Sequence, residues 1–223
     1  MNRLYSVSDR TVDRVLFGCG VFLAVSETYK QLFLYFIIQH RTYDWWFFPF
    51  QLCSLPLYLC LLLPFLKNAR LKAVLYTFMQ DFNLMGGIAA LLVPEGFTGI
   101  HWSLTLHGYL WHITLILIGL LIFLTRRADF TRGGFARTLP LFWACCGIAT
   151  LINLLAPGHG QADMFYISPY YPSTQILFHT LALHIGILPS NLLYLLTVCL
   201  GGFLMHQLFS FLNRFAILRR ITR

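Results

Sequence analysis

WWFFPFQLCSLPLYLCLLLPFL, residues 45–66, contains no charged side chain. A helix of this length, at ~1.5 Å rise per residue, crosses the ~30 Å hydrocarbon layer of a bilayer. Gln51 and Cys53 stand in its first half, where lipid offers a polar group no partner. The other apolar runs hold their unusual polar residues, mostly His, Asn and Glu, at a similar depth. The pattern predicts several membrane helices arranged around one intramembrane site.

Composition agrees. Of 223 residues, 58% are hydrophobic and 11% charged, whereas soluble domains carry about a quarter charged residues. The formal charge of +8 lies between the apolar runs and not in one patch. It therefore speaks for orientation in a membrane, and no nucleic-acid partner is expected. The six cysteines (Cys19, Cys53, Cys60, Cys145, Cys146, Cys199) all sit in apolar runs without a CxxC pair. That pattern supports neither a disulfide framework nor a zinc ribbon.

Working outward, apolar runs predict six spans at about 15–39, 45–66, 71–93, 102–124, 138–156 and 191–212 in a single domain, 1–223. The first run contains Ala24-Val25-Ser26, the outline of a signal-peptide cleavage site near residue 26. Cleavage there is rejected, because QLFLYFII at 31–38 would remain as an apolar stub. With the N-terminus inside, Arg3, Arg10, Arg14, Lys67, Arg70, Lys72, four loop arginines (126, 127, 132, 137) and four tail arginines (214, 219, 220, 223) share one side. Arg41 alone falls outside, and Lys30 lies within the first span. The expected fold is an all-α polytopic bundle with both termini cytoplasmic. Residues 175–188, too short to span between their prolines, read as an interfacial or re-entrant helix before the last span.

Several residues carry candidate chemistry. Glu27 and Lys30 share a face of the first span, as a packing clamp or as substrate-binding groups. Asp81 and Asn83 line a cavity or pair with a neighbouring helix. Cys53 is a nucleophile if a base lowers its thiol pKa, and otherwise a small buried hydrophobe. His107 and His112 are the bases at its depth, about 140° apart around their helix. His159, Asp163, His179 and His184 lie in the outer segment without any dense ligand motif, so no metal and no cofactor is expected.

Pro49-Phe50-Gln51-Leu52-Cys53 resembles the P-x-Q-L-C element of the YwaF-like bacterial integral membrane proteins. Glu27 in the first span, the histidine of the fourth, Leu151-Ile152-Asn153 and Asp163-Met164-Phe165 are similar to that family's pattern as well. The family resembles, more distantly, transmembrane-protein-164-type acyltransferases. The resemblance implies a bacterial inner-membrane protein with a nucleophile–histidine pair acting on acyl lipids. Cys53 takes the nucleophile position and His112 the histidine position, with His107 in reserve. Ser54 stands where the family often has Asp, and Asp163 where it has Asn.

The expected function is thus membrane-embedded acyl transfer or lipid hydrolysis. Membrane lipids are the partners and an acyl lipid is the substrate. Gln51 or Asn153 would donate to the developing oxyanion, with Glu27, Lys30 and Asp163 lining the substrate site. Two alternatives stand beside it: a small-molecule transporter or channel using Glu27, Lys30, Asp81 and the histidines, and a non-catalytic accessory protein whose polar residues only hold helices together. The sequence sets no oligomeric state.

Overall fold

A computed structural model describes residues 7–156 and 161–221, with side chains as far as Phe215. Arg3, the Pro157-Gly158 turn, His159 and Arg223 lie outside the described residues, as do the side chains of Arg219 and Arg220. Helix is the only regular structure among the described residues. The eight α-helices are α1 (Asp9–Phe33), α2 (Leu55–Leu62), α3 (Ala69–Phe78), α4 (Leu84–Leu92), α5 (Trp102–Leu124), α6 (Leu139–Leu155), α7 (Ile176–Ile185) and α8 (Ile187–Ile221).

Among the described residues, four helical stretches are long and apolar enough to cross a membrane: Asp9–Ile38, Trp102–Leu124, Ala136–Leu155 and Ile187–Phe215. Their large apolar side chains face outward, with Leu117, Leu151 and Leu200 all more than half exposed. In water this surface would be untenable; in lipid it is the low-energy one. This is an integral, multi-pass membrane protein in contact with lipid. Ends are set by local chemistry. Ser8 caps α1 by accepting from Thr11 N, Asn68 caps α3 by accepting from Arg70 N and Leu71 N, and Pro140 occupies the first turn of α6.

Two expected spans take a different form. Residues 45–66 are helical in two separate pieces. Asp44 caps a single turn at Trp45–Phe47. The chain then bends at Pro49, where Phe50 N donates to the Phe48 carbonyl at 2.8 Å, and again at Gln51, before a helical turn at Leu52–Ser54 leads into α2. Pro49 has no N–H to give a helix, and Ser54 Oγ accepts from Gln51 N at 3.3 Å, starting the helix afresh. The continuous part, Leu52–Phe65, is shorter than a span. Residues 69–92 form one helical rod interrupted by a π turn at Met79–Asn83. All five residues of that turn, including Gln80, Asp81 and Asn83, are buried. α7 is short and leads through Gly186 (φ 92°) into α8, which begins at Ile187 and not near 191.

α1 packs on α2 and α5, α4 on α5, and α8 on α7 and the π turn. One end of the bundle is polar and basic. Arg127 pairs with Asp9, Lys72 and Tyr76 both reach Asp13, and Arg137 Nη1 lies 2.6 Å from Asp129 Oδ2. Toward this end Asp81 Oδ2 meets His206 Nδ1 at 2.8 Å, both fully buried. Beside it Phe82 stacks with Phe142 and Phe135, ring centroids 5.0 and 5.5 Å apart. The opposite end carries the candidate site.

Candidate functional site

Cys53 lies on the Leu52–Ser54 turn, half-buried and unpaired. Two neighbouring helices fix the backbone of this turn. Asn83 Nδ2, from the π turn, donates to the Leu52 carbonyl at 2.7 Å. Trp111 Nε1, from α5, donates to the Cys53 carbonyl at 3.0 Å. The thiol is therefore presented by a turn whose own carbonyls are tied down from both sides.

Gln51 and Asn153 meet on one segment. Gln51 Nε2 donates to the Asp163 carbonyl at 2.8 Å, and its Oε1 accepts from Phe165 N at 2.7 Å. Asn153 makes the same two-ended clasp on Met164, 3.1 Å to its carbonyl and 2.7 Å from its N–H. Asp163 Oδ1 accepts from Ser168 N at 2.7 Å, and Asn191 Nδ2 donates to the Ser168 carbonyl at 2.9 Å. Residues 162–165, 167 and 168 are consequently buried within the bundle. Within this segment Phe165 (φ 59°) and Tyr166 (φ 58°) are both left-handed, a conformation that bulky residues adopt at a cost of ~1–3 kcal/mol each. Side-chain amides offset that cost, so Gln51 and Asn153 are clamps, each with one N–H and its oxygen committed to backbone.

Asp163 Oδ2 and Asn191 Oδ1 are buried without a hydrogen-bond partner among the described residues. Burial pushes the Asp163 carboxyl up to about 6, and the Ser168 N–H offsets only part of that rise.

The expected Glu27–Lys30 pair forms, Nζ to Oε1 at 2.8 Å. Gln31 Nε2 adds a 2.7 Å bond to the same carboxylate and a 2.6 Å bond to the Phe47 carbonyl, which ties α1 to the helical turn that precedes the Cys53 segment.

The two histidines are placed differently. His112 is buried, with Nδ1 2.8 Å from the Gly108 carbonyl and its ring stacked on Phe97 at 4.9 Å. His107 lies one helical turn before Trp111, on the same face of α5, with ring centroids 5.4 Å apart. It lies within hydrogen-bond reach of the Ser26 backbone, and its buried Nε2 makes no well-aligned hydrogen bond among the described residues. Among the described residues no hydrogen bond joins the Cys53 thiol to either imidazole.

Some expected partners fall elsewhere. Asp81 pairs with His206 toward the basic end, and His179 Nδ1 lies 3.1 Å from the Ser173 carbonyl. No cluster of three or more His, Cys, Asp or Glu suited to a metal is found among the described residues. Trp111, Ser168 and Tyr166 belong to the site although the sequence reading gave them no part in its chemistry. Trp111 had one usable signal, its position four residues after His107 on an otherwise apolar helix.

No curated protein and no solved structure matches the chain. A family model described as the TMEM164 family matches residues 4–206, a range that takes in Gln51, Cys53, both candidate histidines, Asn153 and Asp163. On a match over nearly its whole length, the chain belongs to the TMEM164 family.

Proposed function

We propose that this protein is a membrane-embedded acyl-transfer or lipid-hydrolysing enzyme with Cys53 as nucleophile and His107 as its base. The carrying observation is the buried Nε2 of His107, which makes no well-aligned hydrogen bond among the described residues, one helical turn from the indole that pins the Cys53 carbonyl. On this reading the thiol attacks the acyl carbonyl of a lipid ester. His107 takes the thiol proton and passes it to the leaving oxygen as the C–O bond breaks, leaving a thioester on Cys53. Water or a lipid hydroxyl then attacks the thioester, its proton returns to sulfur through His107, and the acyl chain departs. A buried thiol needs such a base, because an apolar site disfavours the thiolate. The thiol–imidazole contact closes when substrate enters, as catalytic hydrogen bonds often do. His112, held by Gly108 and Phe97, positions α5.

The same reading sets the chain across the membrane six times, with the half-length Leu52–Phe65 and the rod 69–92 completing the four long spans. The basic end, gathering Arg127, Lys72 and Arg137, then faces the cytoplasm of a bacterial cell, as the excess of Lys and Arg favours.

A lipid-tailed iodoacetamide tests both parts in sealed membranes. Wild-type Cys53 is expected to label at least ~10-fold faster than Cys199, and His107→Gln to lose most of that advantage while His112→Gln keeps it. Cys53→Ala should abolish acyl transfer without loss of folded protein. Equal labelling of Cys53 and Cys199 sinks the nucleophile and leaves a structural thiol. An impermeant maleimide reaching Arg132→Cys only after permeabilisation of right-side-out vesicles supports the orientation; immediate labelling reverses it.

A further inference from the structure

We propose that the buried Asp81–His206 pair positions the Cys53 nucleophile by holding the π turn that carries Asn83, a role that rests on the acyl-transfer reading above. The reaction itself uses neither residue. Ionisable groups inside a membrane bundle are costly to keep, and they tend to be kept for function. Gln80, Asp81, Asn83 and His206 are all buried. Both ring nitrogens of His206 face acceptors, Nδ1 the Asp81 carboxylate at 2.8 Å and Nε2 the Thr131 carbonyl at 3.2 Å. The ring therefore donates on both sides, and it fastens α8 to the π turn and to the loop after α5. Gln80 Nε2 donates to the other carboxylate oxygen, Oδ1, at 3.1 Å. One helical turn before His206, Gly202 lets α8 close on the π turn: a Cβ there would stand 2.9 Å from Phe82 Cε1.

The turn reaches the nucleophile through Asn83. Its Nδ2 donates at 2.7 Å to the Leu52 carbonyl, which belongs to the peptide joining Leu52 to Cys53. Asp81 and Asn83 stand two residues apart, so at ~100° per residue they face nearly opposite ways. One is tied to α8, the other to the start of the Cys53 turn. A π turn holds one residue more than the α-helical turn it replaces. Relaxing it would rotate α4 by ~100° against α3 and draw Asn83 away from Leu52. The tie to His206 keeps the extra residue in place, and so keeps the amide on the Leu52 carbonyl.

Replacing the pair in two ways tests this role, with two probes reading Cys53. A dodecyl-tailed iodoacetamide alkylates the sulfur and displaces iodide; p-nitrophenyl dodecanoate acylates it and releases p-nitrophenolate. Asp81→Leu/His206→Leu removes both charges together, a replacement that buried pairs often tolerate without loss of stability, and leaves nothing to hold the turn. It is expected to slow both reactions at Cys53 by about tenfold, while Cys199, on the same helix as His206, keeps its alkylation rate. Asp81→Asn/His206→Gln retains an amide-to-amide tie and should stay within about threefold of wild type. Asn83→Ala breaks the last link alone and should slow Cys53 as much as the first double variant does. Combining the two should slow it no further, because both act by one route. Wild-type rates at Cys53 in the folded first variant or in Asn83→Ala, equal slowing at Cys199, or multiplied slowing in the combination overturn the assignment. A wild-type Cys53 that is alkylated no faster than Cys199 and never acylated removes the acyl-transfer reading itself, a failure visible before any variant is made.

Discussion

Asp163 shows how far one side chain can be followed. Its carboxyl is raised to about 6 because burial penalises the charged form more than the Ser168 N–H favours it. An unfolded aspartate titrates near ~3.9. The folded state therefore binds the extra proton between about 4 and 6, and stability rises as pH falls through that window. Above pH 6 the ionised carboxylate carries its full burial cost, about 3 kcal/mol at ~1.4 kcal/mol per pKa unit. Asp163→Asn removes the charge and keeps an oxygen for Ser168 N. Thermal unfolding in detergent should show the variant more stable than wild type at pH 7.5, by ~1–3 kcal/mol, with the gap closing near pH 4. A gap that does not change with pH would assign the effect to packing. The residues of this site were legible in the sequence and their tasks were not. Gln51, Asn153 and Asp163 read as groups facing substrate, because an amide in a lipid-length run advertises an unmet need. The need is met by the backbone of residues 163–168, and nothing in the sequence marks Phe165 and Tyr166 as left-handed. His112 drew attention through its distance to the basic loop, whereas His107 is the histidine that shares a face of α5 with Trp111.

At the scale of elements, the contact between α4 and α5 depends on absent side chains. A Cβ on Gly119 would stand 2.5 Å from Leu84 Cδ1 and 2.6 Å from Leu84 Cβ. Small residues let membrane helices approach until their backbones nearly touch. Gly119→Ala should push α4 away at a cost of ~1–3 kcal/mol, as overpacking does. α4 continues directly from the turn carrying Asn83, so the same change should slow Cys53 alkylation. Gly147→Ala, with nothing within 4 Å of its Cβ, is the control. It should be neutral or slightly stabilising, because alanine is the better helix former. Unchanged melting of Gly119→Ala would mean the two helices are not closely engaged. The apolar runs announced most helices because lipid demands internally bonded backbone. Two features escaped that logic. The break before Leu52 arises from Pro49 together with Asp44 and Ser54 side chains capturing backbone N–H groups. The π turn at Met79–Asn83 fits one extra residue into a turn, a displacement that hydrophobic periodicity does not register.

At the scale of the molecule, the bundle separates two kinds of polarity. Charged pairs between separate segments fasten the basic end, while side-chain amides bonded to backbone fasten the end that holds Cys53, where the Glu27–Lys30 pair lies within α1. The helix beginning at Leu52 has pieces of three, eight and three residues, roughly 20–25 Å of rise. A hydrocarbon layer is about 30 Å thick. On the proposed function, hydrophobic mismatch would set the depth of the reaction: anchored at the basic end, the helix carries Cys53 to within about 5–10 Å of the opposite ester plane. A lipid then needs no extraction from its leaflet, only lateral diffusion. An enzyme of the proposed kind would be tuned to bilayer thickness. Reconstituted in phosphatidylcholines of increasing chain length, Cys53 acylation should pass through a maximum, because thicker bilayers bury the sulfur below the ester plane and thinner ones lift it above. A rate indifferent to chain length would detach the broken span from the chemistry.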